Sequence, residues 1–90
     1  MIRGIVAGAF DLIHPGYVRF LKEAKEHCDY LTVALHFDPS MERPEKMRPV
    51  QSVWARKEIL RAIRYVDNVV VYETENQLLN KLTLFDVKIN

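Results

Sequence analysis

The ninety-residue sequence is short of cysteine, glycine and long apolar runs, and it carries almost no excess charge. Cys28 stands alone, so no internal disulfide can form, which fits a reducing compartment. The three glycines are scattered and no tract repeats, which excludes collagen-like and low-complexity chains. No apolar stretch approaches the ~20 residues of a membrane span, and the first residues lack the apolar segment and small-residue cleavage site of a signal peptide. A cytoplasmic location without membrane association is therefore expected. Thirteen Lys and Arg face twelve Asp and Glu, a formal charge of +1, so the chain has no general electrostatic footprint for nucleic acid or anionic lipid. Any anion has to be met locally. What remains, 49% apolar and 28% charged residues, describes one small globular domain with no room for a second. A chain of this length buries only ~60 to 65% of its unfolded surface, so cover from a partner subunit is in keeping with its size.

The apolar pattern divides the chain into elements. Ile2 to Ala7 form a short, β-branched run that reads as a buried strand. From Pro15 onward Tyr17, Phe20, Leu21, Ala24 and Cys28 recur at helical spacing, with Arg19, Lys22, Glu23, Lys25 and Glu26 opposite them. Tyr30 to His36 predict a second strand, and Phe37 to Gln51, with three prolines and mixed charge, predict a long loop. Ser52 is placed to cap a helix whose apolar face is Ile59, Leu60, Ile63 and Val66 and which should end by Tyr65. Val69 to Tyr72 predict a third strand, Gln77 to Leu82 a short helix, and Phe85 to Ile89 the start of a fourth strand. This alternation implies an α/β, Rossmann-like open parallel sheet with helices on both faces, the strand from Ile2 lying centrally beside the strand from Tyr30.

The stretch Gly8-Ala9-Phe10-Asp11-Leu12-Ile13-His14-Pro15-Gly16-Tyr17 joins the first strand to the first helix. In an open parallel sheet ligands sit outside the carboxyl ends of the strands, where a helix N-terminus offers free N–H groups to an anion. His14 stands at that position, able to donate a hydrogen bond to a phosphate oxygen, and Gly16 keeps the approach open. The competing reading makes Asp11 and His14 ordinary loop and capping residues. Arg56 shares helical spacing with Ile59, Leu60 and Ile63, which turns its guanidinium toward the sheet. An anion at the sheet edge would partner it, as would a carboxylate such as Asp38. His27, His36 and Cys28 show no metal-ligand spacing, and Trp54 reads as a packing or dimer residue.

GAFDLIHPGY resembles the G-x-F-D-x-x-H-x-G-H signature of the cytidylyltransferase-like nucleotidyltransferases. The strand spacing, Ala55-Arg56-Lys57 and Ile63-Arg64-Tyr65-Val66-Asp67 are similar to glycerol-3-phosphate cytidylyltransferases, and the resemblance spans the chain. It implies attack by a phosphomonoester, such as glycerol 3-phosphate, on the α-phosphate of CTP, with Mg2+ accompanying the nucleotide and pyrophosphate released. Adenylyltransferases acting on phosphopantetheine or nicotinamide mononucleotide share the motif but fit the Arg-Tyr-Val-Asp region less well. By the resemblance His14 is the first motif histidine, Tyr17 stands in the place of the second, and both join Arg56 in catalysis. Gly8, Ala9, Phe10, Asp11 and Gly16 join His14 and Arg56 as nucleotide-binding residues, and Asp38, Lys46 and Arg48 as substrate-binding residues. A tyrosine hydroxyl donates one hydrogen bond but does not become cationic, and Tyr17 also fits simple packing beside Phe20 and Leu21. Lys46 and Arg48 alternate with Glu42 and Glu45, so a solvated mixed-charge loop is the plain alternative. The resemblance further implies homodimers paired near the helix that begins after Ser52, and family segments beyond a fourth strand that hold the triphosphate. Residues 1–90 are thus expected to be a domain incomplete at its C-terminus. A non-catalytic nucleotide-binding or assembly module is the alternative that Tyr17 favours.

Overall fold

The computed structural model describes residues 1–90. It contains β1 (Arg3–Gly8), α1 (Pro15–Glu26), β2 (Tyr30–His36), a single 3₁₀ turn (Pro39–Met41), α2 (Val53–Arg61), β3 (Asn68–Tyr72), α3 (Glu75–Leu82) and β4 (Val87–Lys88). The strands form one sheet in the order β3-β2-β1-β4, every neighbouring pair parallel, as the alternation of elements requires. β1 and β2 pair from Arg3 with Tyr30 to Gly8 with Leu35, which ends both strands at the same edge.

Side chains alternate across the two inner strands, and the core splits accordingly. Val6, Leu31, Val33 and Leu35 face α1 and α2, where they meet Leu21, Ala24, Val53 and Leu60. Ile5 and Ala34 face α3 and form a smaller cluster with Tyr72, against which Leu78, Leu82 and Phe85 pack. Three aspartates clip the amino-terminal edge of the sheet. Asp29 accepts from the Ile2 N–H at 2.7 Å, Asp86 from the Arg3 N–H at 2.8 Å, and Asp67 from the Leu31 N–H at 2.7 Å while also pairing with Lys25. The carboxyl edge is left for other work.

Several boundaries differ from the sequence pattern. β1 runs one residue later than expected, and α3 begins at Glu75, because the Thr74 hydroxyl caps it by accepting from the Gln77 N–H at 3.2 Å. α2 stops at Arg61, and the backbone then closes in i to i−3 bonds at Ile63 and Val66. Those two side chains still pack on the core, so the apolar period outlasts the helix. Phe85 belongs to the turn after α3, which leaves β4 only two residues. No helix is long and apolar enough to cross a membrane.

Candidate active site

The loop from Ala9 to His14 leaves β1 at the carboxyl edge and enters α1 through two left-handed residues, Phe10 (φ 47°) and Leu12 (φ 51°). Neither is glycine, so the conformation needs support from elsewhere. The Phe10 ring provides some by anchoring in the main core at 5% exposure. Asp11 provides more: its carboxylate accepts from the N–H groups of Val50 (2.7 Å) and Gln51 (3.0 Å), while the Gln51 side-chain oxygen accepts from the Leu12 N–H (3.0 Å). The Val50 N–H above all, working against the cost of partial burial, holds the Asp11 carboxyl below the usual carboxylate range. Asp11 is therefore a clasp between the motif loop and the end of the long loop, with both oxygens committed.

His14 is the N-cap of α1, with Pro15 following as the first helical residue. Its Nδ1 accepts from the Gly16 N–H at 3.0 Å, so a neutral imidazole carries its hydrogen on Nε2. The ring is exposed and lies 4.6 Å, centroid to centroid, from the ring of Tyr17, which in turn lies 5.5 Å from Phe10. Tyr17 thus packs as the apolar pattern allowed, although it stays half-buried and its hydroxyl makes no hydrogen bond within the chain.

Arg56 does not pair with the carboxylate considered for it. Its guanidinium is 1% exposed and forms no ion pair, Asp38 included. Instead it donates to four backbone carbonyls, those of Ala9, His36, Phe37 and Gln51. Burial lowers its pKa, and the charges of Asp11 and Asp38 act in the opposite direction. Asp38 is occupied as well. It caps the 3₁₀ turn by accepting from the Ser40 N–H (3.0 Å) and hydroxyl (2.6 Å), and the Ser40 hydroxyl foremost keeps its carboxyl below the usual range.

The long loop separates Lys46 from Arg48. Lys46 lines a cavity of about 320 Å3 on the α3 side of the sheet edge, together with Gly8, Ala9, His36 and Arg43. Arg48 lines a different one of about 440 Å3 with Asp38 and Trp54, its Nε 3.9 Å from an Asp38 carboxylate oxygen. A third cavity, of about 250 Å3, opens on the α1 side between Phe10, Tyr17 and the same Gly8 and Ala9. The end of β1 is thus a divider with His14 and Tyr17 toward one side and Lys46 toward the other. His36 went unnoticed as a site residue in the sequence, where it reads as one more strand position. Its ring stacks on Tyr72 at 4.5 Å, and its Nε2 is buried without a partner. Arg43 and Glu75, which pair across this cavity, were equally silent, since the topology alone brings them together.

No three His, Cys, Asp or Glu side chains converge as a metal-ligand set. With Asp11 and Asp38 committed to hydrogen bonds, the residues present do not build a magnesium site of their own.

The cytidylyltransferase-like family matches residues 5–86, which covers most of β1, all of β2 and β3, the motif loop and all three helices. The chain belongs to that family of nucleotidyltransferases. It is 46% identical over 70 residues to an FAD synthase of Pyrococcus horikoshii, a match covering 78% of this chain and 47% of that one. It is 38% identical over 76 residues to the bifunctional protein HldE of Hyphomonas neptunium, covering 83% of this chain and 16% of the relative. A lipopolysaccharide core biosynthesis protein of Thermoplasma volcanium superposes with a TM-score of 0.80 at 26% identity, covering 94% of this chain and 68% of that one. The chain therefore spans about half the length of the FAD synthase it matches and a smaller share of HldE.

Proposed function

We propose that this chain supplies the nucleotide-binding edge of a nucleotidyltransferase that moves a nucleoside monophosphate from CTP or ATP onto a small phosphomonoester. One observation carries the reading: the bond from the Gly16 N–H to His14 Nδ1, which leaves Nε2–H as an exposed donor at the N-terminus of α1 beside the end of β1. An oxygen of the acceptor phosphate attacks the α-phosphorus. The new P–O bond forms as the bond to the bridging oxygen breaks, and pyrophosphate leaves with that electron pair. His14 serves as a donor to the oxygens on which charge builds. Lys46, which lines the cavity on the far side of Gly8 and Ala9, would hold the acceptor phosphate. Magnesium, entering with the triphosphate, would shield its charge.

The family name favours CTP, whereas the FAD synthases favour an adenine nucleotide. None of the relatives reported above is named for glycerol 3-phosphate, which is therefore one candidate acceptor among several. Calorimetric titration of the chain with CTP and with ATP tests the reading. His14→Ala should weaken the preferred nucleotide by about 1 to 3 kcal/mol, the scale of a charge-assisted hydrogen bond. Unchanged affinity would place the nucleotide elsewhere.

A second reading, binding without turnover, is favoured by Tyr17, whose half-buried ring packs between His14 and Phe10 and supplies no cation. Pyrophosphate release with a panel of phosphomonoesters separates the two. We further propose that two copies pair through the exposed face of α2 around Trp54.

A further inference from the structure

A guanidinium presents five N–H groups, and Arg56 has spent four of them. Nε–H donates to the Gln51 carbonyl at 3.1 Å; one terminal nitrogen donates to Ala9 at 2.8 Å and His36 at 2.7 Å; the other donates to Phe37 at 2.7 Å. A fork-like grip on phosphate needs two neighbouring N–H groups, so making one would release at least one carbonyl into a buried place without a donor.

The four acceptors are not scattered. His36 ends β2 and Phe37 follows it, and Ala9 lies just past β1, immediately before left-handed Phe10. Gln51 is the residue whose N–H bonds Asp11 and whose side chain holds the N–H of left-handed Leu12. Each strained residue of the motif loop thus sits one connection away from a carbonyl that Arg56 holds. We propose that Arg56 is a positioning residue: it fixes the path of residues 9–12, and through them the place of His14, by gripping backbone carbonyls, and it does not touch the nucleotide. What the loop binds rests on the reading above; the grip itself does not.

The first measurement needs no ligand. In the free chain the Arg56 Nε–H should exchange slowly with solvent, as a buried bonded group does; fast exchange would overturn the proposal. Arg56→Lys keeps the charge but replaces the planar fork with a single ammonium that cannot serve four carbonyls. In that variant the amides of Leu12, Val50 and Gln51 should lose protection by about tenfold or more, while those of Val33 and Leu35 stay within about twofold. A folded variant with unchanged loop protection would also overturn it. The second measurement adds CTP or ATP to the unaltered chain. The Gly16 amide and the His14 ring signals should shift while the Arg56 Nε–H signal stays in place and protected. A shift at Arg56 exceeding that at His14 would make it a direct ligand and refute the proposal. If neither nucleotide binds, the proposed function fails, and the two exchange experiments still decide the role of Arg56.

Discussion

Gly16 has no side chain because His14 occupies the space one would need. A Cβ built there lies 2.7 Å from Cε1 and 2.9 Å from Nδ1 of the imidazole, closer than real contacts allow. Gly16→Ala should therefore push the ring off its cap and lower nucleotide affinity about tenfold or more, with a small change in melting temperature; calorimetry beside thermal melting would show affinity and stability moving separately. Tyr17→His is expected to work the other way. It places a second imidazole beside Phe10 and His14, so nucleotide affinity should rise, and a fall would mean that the phenol itself contacts the ligand. Both residues were legible in the sequence because their geometry is local: cap, proline and glycine are consecutive. Arg56 was legible only as a side chain turned toward the sheet. Its carbonyl partners lie 5, 19, 20 and 47 positions away, and no residue type marks a carbonyl as an acceptor.

The elements themselves followed from apolar period, since strands alternate and helices repeat whatever their neighbours do. Residues 37–51 read as a loop on the strength of prolines and mixed charge, and that reading stands apart from one 3₁₀ turn. Its attachments were illegible. Asp11 holds its far end, and its middle is tied to α3 by Glu42, which accepts from the Glu75 N–H at 3.0 Å, and by the Arg43–Glu75 pair. These tethers explain why Lys46 and Arg48, two residues apart, serve different cavities. They also predict a pH response. The Asp11 carboxyl is lowered in the folded chain, so its contribution is present above the ordinary aspartate value of about 3.9 and is lost as pH falls through the lowered one. The Val50 and Gln51 amide signals should titrate together in acid with a midpoint below about 3.9. Amides that stay fixed, or that move with a midpoint above that value, would show that Asp11 is not the clasp.

Across the whole molecule, carboxylates tie the chain together at both edges of the sheet. Asp29, Asp67 and Asp86 clip the amino ends of the strands, while Asp11 and Asp38 fasten the loops at the carboxyl ends around the buried guanidinium of Arg56. The interior is small. Sixteen of 90 residues are buried, the apolar ones among them in clusters of ten and three side chains, and large apolar groups are left outside. Trp54 is 76% exposed on α2, with Val50 at 71% and Met47 at 84% in the adjoining loop. A tryptophan in that setting is the residue type that most often anchors an interface. If two copies pair there, the single tryptophan reports it directly: its emission should move to shorter wavelength as concentration rises through the micromolar range, in step with a doubling of mass in sedimentation. Trp54→Glu should weaken pairing by about 2 kcal/mol or more, some thirtyfold, and leave the fold intact, because the ring contributes nothing to either core cluster. Solvent-exposed emission at every concentration, with one monomeric mass, would mean that this face is open in solution.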